Sequence, residues 1–136
     1  MVAMNAIDLF SGCGGLTLGL KMAGFSVKAA IEIDKLAVET YRVNNPEVVV
    51  LNVDIRSVDV QHFMEHLQIV PGEIDLVAGC PPCRGFSSIR TLNGKRKVED
   101  NRNNLLFDYL RFVRELRPKS IMFENVPGLM KEPIFS

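Results

Sequence analysis

Two hydrophobic periods take turns along this chain. The mostly apolar runs "MNAIDLF", "SVKAAIEID", "EVVVLNVDI", "EIDLVAGC" and "KSIMFENV" read as strands. Between them, "LTLGLKMAGF", "KLAVETYRVNN", "VDVQHFMEHLQ" and "NLLFDYLRFVRELR" space their apolar residues at helical intervals. Gly24 reads as the C-cap of the first helix, and Pro46 stops the second, in which Leu36, Val38 and Tyr41 are expected to face inward. Strands that alternate with helices and are apolar on both faces predict a parallel sheet covered on each side, a doubly wound α/β domain. Ligands of such sheets sit at the carboxyl ends of the strands, near the point where strand order reverses. The polar, basic segment from Pro81 to about Asn104 breaks the rhythm, and a loop of that length in a compact domain is usually functional.

Composition narrows the picture. The 136 residues, 47% of them hydrophobic, suit one domain with a single core. The formal net charge is zero, which argues neither for nucleic acid nor for membrane, but the charge is unevenly spread. Residues 1–83 carry five basic and ten acidic side chains, whereas residues 84–119 carry ten basic and four acidic, a block of net +6. A solvated face is the plain reading of such a block; its position directly after a cysteine pair favours a polyanion. The cysteine count of three is odd, no run approaches the roughly 18 apolar residues of a membrane span, and the N-terminus lacks a basic-then-apolar signal. Free thiols in a reducing cytosol are therefore expected.

The first chemical motif is "DLFSGCGGLTLGL", in which Gly12, Gly14 and Gly15 follow a strand and open a helix. Glycines there let backbone approach a nucleotide-like ligand, although Thr17 stands where the dinucleotide fingerprint needs a third glycine. Glu32 ends the second strand, where an acid can accept from both ribose hydroxyls. Phe10 can offer a ring face to an adenine, and Asp54 can accept from an exocyclic amine. Singly, these residues read as core, strand end and helix N-cap; at three successive strand ends they describe an adenosine pocket.

The second motif, "GCPPCRGFSSIR", sets Cys80 two prolines before Cys83. A structural zinc site would need further ligands at metal spacing, and His62 and His66 have no acid placed as in HExxH. A thiol redox pair is a stronger rival, but the residues after Cys83 do not read as the helix such a pair opens. The third reading is a lone nucleophile, Cys83, with Arg84 nearby to favour the thiolate. Glu124 in "FENV" ends an apolar strand, a setting expected to raise a carboxyl's pKa and make it a proton donor near neutrality.

Taken in order, "DLFSGCGG", "AIEID", "NVDI", "GCPPCRGFS", "RNNLLFDYLRFV" and "FENV" resemble the catalytic half of a cytosine-5 DNA methyltransferase over nearly the whole chain. The resemblance implies a doubly wound, mainly parallel sheet of the S-adenosylmethionine-dependent, Rossmann-like type. It implies S-adenosyl-L-methionine as cofactor, with Phe10, Gly12, Gly14, Glu32, Ile33, Asp54, Ile55 and Leu105 in its pocket. Cys83 would attack C6 of a flipped-out cytosine in double-stranded DNA while Glu124 protonates N3. Pro82, Arg84, Ser87, Asn125 and Val126 would meet the substrate. Arg84 departs from the family's usual Gln, and Cys80 stands where the family commonly has Gly, which makes the CxxC spacing read as incidental. Resembling enzymes continue well past "FENVPGLM", so the sheet is expected to be incomplete at the C-terminus. Target recognition is expected from a C-terminal part or a second subunit. A module that binds S-adenosylmethionine or a protein partner without catalysis is the alternative, and RNA stands as an alternative substrate.

Overall fold

The computed structural model describes residues 2–82 and 105–124. Its strands are β1 (Met4–Leu9), β2 (Phe25–Glu32), β3 (Val49–Asn52), β4 (Leu76–Gly79) and β5 (Ser120–Phe123). Its α-helices are α1 (Gly15–Met22), α2 (Lys35–Asn44), α3 (Val60–Leu67) and α4 (Leu105–Leu116), with a 3-10 turn at Ile55–Ser57. The strands form one sheet in the order β3-β2-β1-β4-β5, and every pairing is parallel. The chain winds outward from β1 to β3, then returns to lay β4 on the other side of β1. That reversal puts the ligand crevice of the fold at the carboxyl ends of β1 and β4.

The two faces of the sheet have separate cores, as the apolar-on-both-faces strands require. On one face Ala6, Val27, Ala30, Val50 and Ala78 pack with Leu20 of α1 and with Val38 and Tyr41 of α2. On the other, Ile7, Leu9, Ala29, Ile31 and Val77 pack with Phe63 and Met64 of α3 and with Tyr109, Phe112 and Leu116 of α4. The register between β1 and β2 shifts after Ala6, which pairs with Val27 while Ile7 pairs with Ala29. The skipped residue, Lys28, is exposed, so the bulge ejects a charge without losing apolar positions on either face.

Helix ends follow local chemistry. Asp34 caps α2 by accepting from the Ala37 N–H at 3.0 Å, and Asp59 caps α3 by accepting from the His62 N–H at 3.0 Å. The C-cap of α1 is Ala23 and not Gly24, which follows it at φ +91° with its N–H donating to the Lys21 carbonyl, the left-handed turn just past the cap being where a glycine is favoured. Leu36 departs from its expected inward placement: it is 73% exposed, whereas Val38 and Tyr41 are buried. Two residues make about 200° of helical turn, so once Val38 faces the sheet Leu36 must face away. The third strand is also shorter than its apolar run, because Asp54 accepts from the Arg56 N–H and turns the chain into the 3-10 segment.

Candidate functional site

The carboxyl ends of β1, β2 and β4 open onto a cavity of about 430 Å³ lined by Phe10, Ile31, Glu32, Ile33, Val53, Asp54, Ile55, Arg56, Cys80, Pro82 and Leu105. The structure thus brings together most of the pocket residues expected from the sequence, and adds others. Phe10 adopts φ +60°, a left-handed backbone that a bulky side chain rarely takes, as the chain turns out of β1. Its ring packs on the core and lines the cavity. Ile33 is 63% exposed although it lines the same cavity, leaving an apolar surface available to a ligand.

Glu32 is held by backbone donors from both flanks. Its Oε2 accepts from the Gly12 N–H at 2.8 Å and its Oε1 from the Asp34 N–H at 2.8 Å. Each oxygen keeps a free lone pair, so the carboxylate is oriented yet able to accept two further hydrogen bonds. Asn52 fastens the strand end below it, its side-chain amide donating to the Glu32 and Ile33 carbonyls. Gly12 therefore serves the site through Glu32 rather than by lining the cavity. Gly14 does not line it either. At φ +99° Gly14 starts α1, and a Cβ there would lie 2.9 Å from the Asn45 amide and 3.0 Å from the Tyr41 ring. Its glycine is required by close packing of α1 on α2.

Asp54 has two partners of its own. Besides capping the 3-10 turn it forms a forked ion pair with Arg56, whose Nε lies 3.0 Å from both carboxylate oxygens and whose Nη2 lies 2.5 Å from Oδ2. The guanidinium holds the carboxyl below its ordinary pKa. The helix N-cap and the cavity-lining readings of Asp54 are both satisfied, and the neighbouring 3-10 turn is braced from α4. Arg111 donates to the Val58 carbonyl at 2.7 Å and the Ile55 carbonyl at 2.8 Å.

Glu124 follows β5 directly and is exposed, as are Ile121 and Met122 of the strand. The apolar strand that Glu124 ends, the setting in which the sequence predicts a proton donor, does not enclose the carboxyl among the described residues. Its Oε2 instead accepts from the Cys80 thiol at 3.1 Å. Burial of Cys80, reinforced by the hydrogen bond to Glu124 and its charge, pushes the thiol up to about 12. A redox-active thiol needs the opposite shift, so Cys80 is placed as a donor and not as an attacking thiolate. Cys83, Arg84, Ser87, Asn125 and Val126 lie outside the described residues. Among the described residues no group of three His, Cys, Asp or Glu side chains is arranged to hold a metal, and no helix is long and apolar enough to cross a membrane.

Sequence reading missed Arg56, Cys80, Ile31 and Val53 as lining residues. It also missed a buried polar chain behind the glycine turn. Asp8 is fully buried in β1; its Oδ2 accepts from the Thr17 hydroxyl at 2.7 Å, and Tyr41 lies 2.8 Å from the same hydroxyl. Thr17 has one proton and gives it to Asp8, so the Tyr41 O–H donates to Thr17. The available signal was an acid inside an apolar strand paired with the Thr that interrupts the glycine fingerprint.

An all-parallel sheet with its cavity at the strand reversal, glycines at the first turn and an acid held at the end of the second strand define a Rossmann-like domain. Sequence comparison specifies the class further. Residues 4–133 match the family model for C-5 cytosine-specific DNA methylase, and the chain belongs to that family. It is similar to the Type II methyltransferase M.AgeI of Thalassovita gelatinovora, 43% identical over 93% of this chain and 29% of that enzyme. It is also similar to M.AquIA of Picosynechococcus sp., 44% identical over 91% of this chain and 49% of that protein. A crystal structure of a prophage-encoded E. coli protein assigned as a DNA modification methyltransferase superposes with TM-score 0.79 at 38% identity, covering 98% of this chain and 35% of that one. The chain thus spans less than half the length of each.

Proposed function

We propose that this chain carries the cofactor pocket and catalytic groups of an enzyme that transfers methyl from S-adenosyl-L-methionine to C5 of cytosine in double-stranded DNA. The observation that carries the proposal is the convergence of Phe10, Glu32, Ile33, Asp54, Ile55 and Leu105 on one cavity at the strand reversal, with Glu124 hydrogen-bonded to its Cys80 wall. The residues fit an adenosine moiety. Glu32 offers two oriented acceptors at ribose spacing, Phe10, Ile33, Ile55 and Leu105 offer apolar walls, and Asp54 offers an acceptor at the rim. When bound, the cofactor supplies an electrophilic methyl group.

A cytosine C5 is a poor nucleophile until the ring's aromaticity is broken, which assigns the remaining work to the protein. The Cys83 sulfur bonds to C6, the C5–C6 electron pair becomes available at C5, and Glu124 supplies a proton at N3 to take up the ring charge. After methylation, a water acting as base takes the C5 proton, the electron pair restores the C5–C6 double bond and expels the Cys83 sulfur, and the N3 proton returns to Glu124. Pro82, Arg84, Ser87, Asn125 and Val126 are proposed to hold the base and its backbone, and the base must leave the helical stack to reach them. The basic block of residues 84–119 supports attraction to phosphates, a salt-sensitive and sequence-independent contribution. Choice of target sequence is assigned to a C-terminal part or a second subunit.

Cys83→Ala tests the assignment. In the intact enzyme the variant is expected to lose methyl transfer and to form no denaturation-resistant adduct on 5-fluorocytosine DNA, where fluorine blocks the final elimination. Full activity of Cys83→Ala sinks the proposed chemistry.

A further inference from the structure

The cysteine that reads as incidental in the sequence occupies a working position in the fold. Cys80 is the first residue after β4 and Glu124 the first after β5, and these strands are neighbours in register, with Gly79 opposite Phe123. The two strand ends are tied firmly. The Glu124 N–H donates to the Gly79 carbonyl at 3.3 Å, and the Tyr109 hydroxyl shares its one proton between the Val77 carbonyl at 3.0 Å and the Met122 carbonyl at 3.2 Å. The Tyr109 ring packs edge-on against Phe123 at 5.2 Å and lies so close to Gly79 that a Cβ there would be 3.0 Å from it. The backbones of both ends are thereby fixed, yet among the described residues that scaffold does not set the torsions of the exposed Glu124 side chain. The Cys80 thiol does, through its 3.1 Å contact with Oε2.

We propose that Cys80 is a positioning residue, whose S–H holds one oxygen of Glu124 and leaves the other directed to the substrate ring. The inference rests on the role assigned to Glu124 above. A carboxyl group on a two-methylene stem has several rotamers of similar energy, and one that must deliver a proton to a ring nitrogen along one line gains rate from being held in a single one. The thiol suits the task because it stays protonated, with burial and the facing carboxylate both disfavouring the thiolate. It is also a half-buried wall of the cofactor cavity, so a merely space-filling role predicts a different outcome on substitution.

The test uses Cys80→Ala, Cys80→Ser and Glu124→Ala in the intact enzyme, with kcat for DNA methylation and calorimetric cofactor Kd measured for each. A thiol is a weak donor, and one hydrogen bond of roughly 1 kcal/mol corresponds to a roughly fivefold fall in kcat. Cys80→Ala is expected to show that fall with cofactor Kd within about twofold, and Cys80→Ser, which restores a donor, to recover most of it. The S–H stretching band of Cys80, assigned by its loss in Cys80→Ala, is expected to move to higher frequency in Glu124→Ala. An effect confined to cofactor Kd, an unrescued serine, or a band that ignores Glu124→Ala overturns the proposal; the band decides even where Cys80→Ser folds poorly. An active Glu124→Ala enzyme overturns the catalytic reading itself, whereas an inactive Glu124→Ala beside a fully active Cys80→Ala removes only the positioning role.

Discussion

Asp8 is the residue whose replacement tests the electrostatics of this fold most sharply. Its carboxyl is fully buried, Oδ2 is held by Thr17, and Oδ1 has no partner. Burial raises its pKa from the ordinary 3.8 to about 6, against the lowering effect of the Thr17 bonds and with a smaller upward push from the Glu32 charge. At about 1.4 kcal/mol per pH unit this shift is worth about 3 kcal/mol. The folded state holds the proton more tightly than the unfolded chain, so Asp8 contributes stability below pH 3.8 that is lost as pH rises through about 6. Above that, the folded protein carries the full cost of a buried ionised carboxylate.

Asp8→Asn removes that titration while keeping an oxygen for Thr17. The new amide meets the partnerless side of the site and costs about 1–3 kcal/mol of its own, so the absolute stability of the variant at neutral pH is the less telling number. The informative quantity is its stability minus that of the parent, measured by urea unfolding from about pH 7.5 down to about pH 4. That difference is expected to fall by about 2.4 kcal/mol over the window, most of the full shift, as the parent alone takes up a proton on folding. Subtraction also removes the opposing effect of Glu47, Asp54, Asp59 and Asp75, carboxyls held low by Lys21, Arg56, the His62 N–H and Lys119. A difference flat in pH, or one that grows as pH falls, refutes the burial argument.

Two further substitutions probe the supports of the cavity. Gly14→Ala places a Cβ 2.9 Å from Asn45 and 3.0 Å from Tyr41 at φ +99°, and is expected to lower stability by about 1–3 kcal/mol in thermal unfolding. An unchanged Tm would show that α1 and α2 yield freely. Arg111→Ala frees the Ile55 and Val58 carbonyls beside the cavity; a loss of about 2 kcal/mol together with weaker cofactor binding by calorimetry is expected, and intact binding would count against α4 bracing the 3-10 turn.

Much of this fold is legible along the chain because it depends on neighbours in sequence. The alternation of strand and helix, the glycine turn at the end of α1, Asp54 as an N-cap, and Val38 and Tyr41 as an inward pair all follow from periodicity and local hydrogen bonding. So do Phe10, Glu32 and Asp54 as strand-end residues, since in a parallel sheet every strand delivers its carboxyl end to the same edge. Leu36 went the other way because an apolar residue carries no record of which side of its helix a sheet will occupy.

What only the tertiary structure decided are the partnerships across strands and helices. Gly12 with Glu32, Arg111 with the 3-10 turn and Cys80 with Glu124 join residues 20, 56 and 44 positions apart. Gly12 meets Glu32 only once β2 lies beside β1, and Cys80 meets Glu124 only once β5 lies beside β4. The sequence by itself determined the elements and the edge of the sheet where chemistry gathers. The order of the strands, a property of the whole chain's packing, decided that Cys80 faces the Glu124 carboxyl, and the packing of α1 and α2 on the sheet decided that the buried acid of β1 meets Thr17 and, through it, Tyr41.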